Sequence, residues 1–355
     1  MSDGKIVHVV GTGTIGEPLI GLLCDAKKDL GIDEVTFYKH TAKELDRPKI
    51  KGLVNRGADL SVAEGKTQDF QELGLEPVYT AEEAIKRASV VIDCTPGGTG
   101  LMNKEKYYNK YKNRISGFLA QGSEFGFGKM YAVGINDAAI TPKDQFIHVV
   151  SCNTHNIAVL IQTLAMKNNK NHLKEGKFLC IRRSNDISQV KSFVPSPEVG
   201  THKDPMMGTH HAKDVYHLFK TLDIDLNVFS SALKLNTQYM HCIWYNLKLD
   251  TKTSVEDVIN KFNENPKVAV TNKQAANLVF SFGRDHGHYG RILNQTVAVL
   301  PSVHVINDNE IFGFCFTPQD GNSLMSSITM TERFLYPDTY EDYLHCLGPF
   351  LLQEV

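Results

Sequence analysis

The segment Gly11-Thr12-Gly13-Thr14-Ile15-Gly16 constrains this chain more than any other. It follows a short β-rich run at residues 5–10 (KIVHVV). It precedes residues 17–30, where Leu19, Leu22, Leu23, Ala26 and Leu30 recur at helical spacing. In a G-x-G-x-x-G run between strand and helix, each glycine has a physical reason. The first permits a tight turn, the second lets the backbone approach a pyrophosphate, and the third lets the helix lie close against the strand. The helix start also offers unpaired N–H groups to phosphates. Gly11, Thr12, Gly13, Thr14, Ile15 and Gly16 are therefore expected to bind a dinucleotide.

The alternation continues along the first half. Residues 33–38, 89–94, 115–119 and 146–150 read as strands, and residues 81–88 as a helix. Strand, helix, strand in this order implies a parallel sheet with helices on both faces. The second half changes character. Residues 177–183, 229–235, 241–249, 296–300 and 310–317 are strand-like and more polar-alternating, as in a sheet with one wet face. Residues 253–265 and 323–334 read as helices. The expected fold class is α/β: a Rossmann-type doubly wound parallel sheet plus an α+β catalytic domain with a mostly antiparallel or mixed sheet. The expected domains are 1–150, completed by a C-terminal helix within 318–355, and 151–317. A chain of 355 residues accommodates both. Apolar strand positions such as Ile243, Tyr245 and Trp244 suit a core or an interface equally well.

Composition removes several function classes. With 42% hydrophobic and 22% charged residues, a sizeable core is expected and wholesale disorder is not. A net charge of -2 gives no global attraction to nucleic acid or to an anionic membrane. No window approaches the ~20 apolar residues of a spanning helix, and the start lacks the apolar core of a signal peptide. The seven cysteines are scattered without a C-x-x-C pair, which argues against a disulfide framework or structural zinc. A cytoplasmic protein with free thiols and no metal is expected.

Free thiols bring chemistry into view. Cys152 directly follows the β-run at 146–150, where a helix is expected to begin, and a helix N-terminus lowers a thiol pKa. His241 opens a strand and is of the residue type that serves as general base. Arg182 and Arg183 end a strand, and His210 and His211 follow Thr209 in a Gly/Pro-rich loop; both pairs suit an anion. The end of the second strand, Phe37-Tyr38-Lys39-His40-Thr41, lacks the acid that usually holds a ribose 2′-OH. Lys39 and Thr41 suit a 2′-phosphate instead, so NADP is expected beside or in place of NAD. Taken singly, each of these residues also fits an ordinary structural place.

Taken in order, the motifs resemble the archaeal-type (type II) phosphorylating glyceraldehyde-3-phosphate dehydrogenases. The family pattern runs G-x-G-T-I-G, S-C-N-T-T, R-R-A-A-D-P, S-H-H-G-P-D and P-T-T-L-M-H. This chain has GTGTIG at 11–16, SCNTH at 151–155, RRSND at 182–186, THHAKD at 209–214 and NTQYMH at 236–241. Further matches run through 282–285 and 303–312, so the resemblance covers nearly the whole chain. It departs from the pattern at His155, at Ala212-Lys213 and at Gln238-Tyr239.

The resemblance implies reversible NAD(P)-dependent oxidative phosphorylation of D-glyceraldehyde 3-phosphate through a cysteine thioester. Cys152 would be the nucleophile, and His241 the general base and thiolate partner. Ser151, Asn153, Thr154, Arg182, Arg183, His210 and His211 would hold the phosphorylated aldehyde and inorganic phosphate. Asn322 would fix the nicotinamide carboxamide. A homotetramer would be the assembly. Two alternatives stay open: a related semialdehyde dehydrogenase or acyl-phosphate reductase, and a non-catalytic dinucleotide-binding regulator.

Overall fold

The computed structural model describes residues 4–168, 170–187, 189–190, 193–318 and 320–355. The chain divides into two compact units. The first comprises Met1–Lys129, Thr141–Val149 and Ser326–Gly348; the second comprises Met130–Ile140, Val150–Met325 and Pro349–Val355.

The first unit is built on β1 (Ile6–Val10), β2 (Glu34–Tyr38), β3 (Ala58–Val62), β4 (Tyr79–Thr80), β5 (Val90–Asp93), β6 (Gly117–Gln121), β7 (Lys129–Tyr131) and β8 (Phe146–Val149). The sheet order is β4-β3-β2-β1-β5-β6-β8-β7, and every pairing from β4 through β8 is parallel. Its helices include α1 (Gly16–Asp25), α2 (Arg47–Asn55) and α3 (Thr99–Lys106). The strands are short apolar runs because both faces are covered. On β6, Gly117 lies under Phe334 of the long C-terminal helix, while the next residue, Phe118, joins Val91, Tyr108 and Leu101 of α3 in a cluster on the other face. This is the doubly wound sheet expected from the sequence.

The second unit carries a mixed sheet of β9 (Leu173–Arg182), β10 (Glu198–Val199), β11 (Val228–Lys234), β12 (His241–Leu249), β13 (Val268–Thr271), β14 (Thr296–Val299), β15 (His304–Ile306) and β16 (Glu310–Thr317). Their order is β10-β11-β9-β12-β16-β14-β13, with β15 on β16. The central pairs β9–β12 and β12–β16 are antiparallel, while β9–β11 and β13–β14 are parallel. The unit's helices include α4 (Cys152–Ala165), α5 (His210–Lys220) and α6 (Ala276–His286). Ile157, Leu160, Ile161 and Leu164 of α4 recur at helical spacing and share a core with Ile243, Tyr245 and Leu247 of β12. Ile243 and Tyr245 are thus core residues. Trp244 points to the opposite face, its ring 6.2 Å from that of Phe312 on β16. A final helix, α7 (Gly321–Leu335), begins in the second unit and continues in the first. Among the described residues no helix is long and apolar enough to cross a membrane.

Candidate functional site

In the first unit the glycine turn lies where the strand order reverses, beside the carboxyl ends of β1 and β5. Gly11 adopts a φ of 101°, and a Cβ there would sit 3.1 Å from the carbonyl oxygen of Cys94. A Cβ on Gly16 would run into the Gly11 carbonyl. The first and third glycines are therefore required by the protein's own backbone. Gly13 is different: it is exposed, and a Cβ there would meet nothing within 4 Å. That open cradle fits a ligand pressed against the backbone. Thr12 is buried, while Thr14 and Ile15 are half-buried beside it.

Lys39 and Lys49 converge on Asp46, at 2.7 Å and 3.1 Å, and the Lys49 ammonium also donates to the Thr12 carbonyl at 3.1 Å. Burial works to raise the Asp46 carboxyl, but hydrogen bonds from both lysines outweigh it and hold it below its ordinary value. Thr41 is exposed nearby in sequence. Lys49 lies on α2, and only the fold brings it beside the glycine turn.

The second unit holds the thiol. Ser151 caps α4, its hydroxyl accepting from the Thr154 N–H and lying 2.9 Å from the Thr154 hydroxyl, so Cys152 is the first helical residue. The helix N-terminus favours a thiolate, but burial wins and pushes the Cys152 thiol up to about 12. The Asp320 carboxylate adds to the shift and the Arg183 guanidinium opposes it. Asn322 lies at the start of α7. It is fully buried, its amide donates to the carbonyls of Cys152 (3.0 Å) and Gln295 (3.2 Å), and its oxygen accepts from the Ser323 N–H. It ties α7 to Cys152 through protein carbonyls.

A buried polar chain runs beneath the thiol. Asn153 donates to Nε2 of His211 at 3.0 Å, and Nδ1 of His211 lies 3.3 Å from the Thr209 hydroxyl. The Thr317 hydroxyl donates to Asn153 at 3.1 Å and accepts from Asn156 at 2.8 Å. Thr317 is the register partner of His241 across β12 and β16. His241 is buried, and its Nδ1 accepts from the Arg183 backbone N–H at 3.1 Å. Burial, then the charges of Arg183 and Arg182, push its imidazole down to about 3. Thiol and imidazole are thus both neutral at rest.

The two basic pairs divide. Arg182 and His210 are exposed, and with Lys203 they gather positive charge that, after burial, lowers the His210 pKa. Arg183 and His211 are buried and engaged with the protein. The Arg183 guanidinium donates to the Tyr239 carbonyl at 3.1 Å and to Asp186 at 2.7 Å. Arg182, Gln238 and Tyr239 also line a cavity of about 560 Å³ with Ile181, Leu235 and Met240. Of the motif departures, His155 and Ala212 are fully buried, whereas Gln238 and Tyr239 face this cavity. Sequence reasoning missed Asn156, Thr317 and Asp320. The run Asn153-Thr154-His155-Asn156, polar yet heading an apolar helix, was the available signal. Among the described residues no cluster of histidine, cysteine and carboxylate side chains is arranged to hold a metal ion.

Comparison with curated proteins finds glyceraldehyde-3-phosphate dehydrogenases. That of Methanobacterium formicicum is 32% identical over 270 residues, covering 74% of this chain and 73% of its own length. The Methanobacterium bryantii protein is 31% identical over 274 residues, with 74% and 73% coverage. The Pyrobaculum neutrophilum protein is 25% identical over 308 residues, with 85% and 82% coverage. No protein-family model matches the chain.

Proposed function

Because the chain belongs to the glyceraldehyde-3-phosphate dehydrogenase family, we propose that it performs the reversible, phosphate-dependent oxidation of D-glyceraldehyde 3-phosphate to 1,3-bisphosphoglycerate through a Cys152 thioester. The observation that carries this reading is the gathering, at one end of the second sheet, of Cys152 on its helix start, the buried His241, and the exposed pair Arg182 and His210. The Cys152 thiolate attacks the aldehyde carbon and His241 serves the reacting oxygen. Arg182 and His210 hold the anionic groups of substrate and phosphate. A covalent thioester divides one hard oxidation into two easier steps. Inorganic phosphate then attacks the thioester carbon, and the thiolate leaves.

A nicotinamide dinucleotide supplies the hydride acceptor when bound. The open cradle at Gly13 supports its pyrophosphate, and Lys39 with Lys49 supports the 2′-phosphate of NADP. Removing one such charged contact costs about 1.5–3 kcal/mol. Lys39→Met is therefore expected to raise KM for NADP by ~10-fold or more and to leave KM for NAD nearly unchanged, measured in parallel steady-state assays. The glycines separate fold from binding. Gly16→Ala is expected to cost about 3 kcal/mol in urea unfolding, because its Cβ meets backbone. Gly13→Ala is expected to leave stability nearly unchanged and to weaken dinucleotide binding in a fluorescence titration. The proposal extends to a homotetramer, supported by the apolar rings of Trp244, Phe312 and Phe314 on the outer face of β12 and β16, with Phe314 39% exposed.

The test is dinucleotide reduction by glyceraldehyde 3-phosphate with and without inorganic phosphate. Reduction that needs phosphate is expected. Silence with this aldehyde beside turnover of a carboxylate-bearing semialdehyde would sink the substrate assignment and leave the thioester chemistry standing.

A further inference from the structure

The segment that leads into His210 is pinned along one strand. β10 pairs antiparallel with the end of β11, Glu198 with Lys234 and Val199 with Leu233. The Gly200 N–H then donates to the Ala232 carbonyl at 2.8 Å. The His202 ring meets the Ser231 hydroxyl at 2.9 Å and packs edge-on to Phe229, with ring centroids 5.1 Å apart. Further on, the Ser230 N–H donates to the Met207 carbonyl at 3.0 Å, and the Thr209 N–H donates to the Ser230 carbonyl at 3.1 Å. The segment thus follows β11 from residue 234 to residue 230.

A closed turn, residues 204–208, stands out from this track. Asp204 and Gly208 exchange both backbone hydrogen bonds, at 3.0 Å and 2.9 Å, and the Asp204 carboxylate accepts from the N–H groups of Met206 and Met207, each at 3.0 Å. Gly208 has a φ of 77°, and a Cβ there would sit 2.3 Å from the Ser230 carbonyl oxygen. A side chain at 208 therefore moves the turn. Lys213 of α5, one of the departures from the motif pattern, lies 3.7 Å from Asp204 and joins the turn to the helix that His210 begins.

Lys203 comes immediately before the turn. It is exposed, and the neighbouring Asp204 carboxylate is taken up by the turn and by Lys213. The charges of Lys203 and Arg182 both act on the His210 imidazole, so all three groups face one small region. His211, its ring 4.0 Å from that of His210, turns inward to Asn153 instead. A phosphate monoester carries about 1.5–2 negative charges at neutral pH. Burial, then Arg182 and Lys203, lower the His210 pKa, so His210 offers a neutral donor there. Between Arg182 and His210 the guanidinium is then the lasting charge, and it leaves a dianion half neutralised. An ammonium on a flexible stem supplies the rest as a point charge.

We propose that Lys203, presented by the closed turn, is a ligand-binding residue that completes a phosphate-dianion site with Arg182 and His210. The place of this site in turnover rests on the thioester reading above; the binding of the anion does not. The dianion is either the phosphate ester of the aldehyde or the inorganic phosphate that attacks the thioester.

A phosphorus NMR titration of the full chain with inorganic phosphate, without aldehyde or dinucleotide, tests the proposal. Lys203→Met is expected to weaken phosphate binding by ~10-fold or more. Lys203→Arg is expected to stay within ~3-fold of wild type. Lys174→Met, which removes the same charge at the far end of β9 from Arg182, is expected to change nothing. Gly208→Ala keeps every charge but displaces the turn, and it is expected to weaken binding as Lys203→Met does; should it fail to fold, the lysine variants decide. Steady-state assays separate the two sources. If the ester is bound, Lys203→Met raises KM for glyceraldehyde 3-phosphate by ~10-fold; if inorganic phosphate is bound, KM for phosphate rises instead, and kcat stays within ~3-fold in both cases. Unchanged phosphate affinity in Lys203→Met, or an equal loss in Lys174→Met, would overturn the proposal. Silence with glyceraldehyde 3-phosphate beside Lys203-dependent phosphate binding would remove the proposed substrate and leave the anion site standing.

Discussion

Cys152→Ser is expected to lose dinucleotide reduction by at least ~10⁴-fold while retaining dinucleotide binding. The substitution changes one atom, and the position of residue 152 is set by its backbone. The Ser151 cap defines the helix start, and Asn322 holds the Cys152 carbonyl at 3.0 Å. A serine there keeps α4 in place but cannot supply a thiolate, and its hydroxyl is a far poorer nucleophile. Wild type adds a pH signature. Burial holds the thiol up to about 12, so the thiolate fraction rises tenfold per pH unit through the neutral and mildly alkaline range. Single-turnover rates of wild type are expected to climb with pH accordingly, and the residual rate of the serine variant is expected to stay flat. A variant that kept a tenth of wild-type turnover would exclude the thioester. Fluorescence titration with the dinucleotide separates lost chemistry from lost binding.

What the sequence disclosed and what it withheld follow from the range of the forces involved. Gly16 was legible because the clash that demands it, with the Gly11 carbonyl, arises within six residues of chain, and Gly11 because its left-handed turn is part of the same short motif, although the backbone its Cβ would meet belongs to the distant Cys94. Cys152 at a helix start was legible because a cap and an apolar period mark the boundary locally. The basic pairs were over-read. All four members appeared suited to an anion, but neighbouring residues on a strand end or a helix start point in different directions. One of each pair, Arg182 and His210, stays exposed, and Arg183 and His211 turn into the protein. Lys49 reaches Asp46 and Thr12 only because α2 folds back beside the glycine turn. Thr317 meets the Asn153 side chain through the register of β12 against β16, which no local pattern specifies. Asn322 was singled out only by the family resemblance, and its hydrogen bond to the carbonyl of Cys152, 170 residues away, is a contact that no local pattern specifies.

Glu332→Gln is expected to stabilise the protein by about 3–4 kcal/mol at mildly alkaline pH and hardly at all near pH 5. Glu332 lies on α7 with no exposure, and neither carboxylate oxygen meets a hydrogen-bond partner among the described residues. Burial pushes its carboxyl from the ordinary 4.5 up to about 8. The sign follows from proton counts. Below about 4.5 both folded and unfolded chains hold the proton, and no penalty arises. Between about 4.5 and about 8 the folded chain keeps a proton that the unfolded chain has released, so stability falls as pH rises, by ~1.4 kcal/mol per unit. Above about 8 the folded group ionises and the loss levels off. Glutamine keeps the shape and hydrogen-bonding size of the neutral acid but has nothing to titrate. Urea midpoints for wild type and variant should therefore nearly coincide near pH 5, separate steadily up to about pH 8 and keep a constant gap above it. The nearby Tyr336 and Cys346 do not imitate this effect, because burial raises both above their ordinary, already alkaline, values, with the Glu332 charge adding to each. Parallel curves for the two proteins across that range would show that the folded Glu332 carboxylate is as well solvated as the unfolded one, and the buried-acid account of α7 would fail.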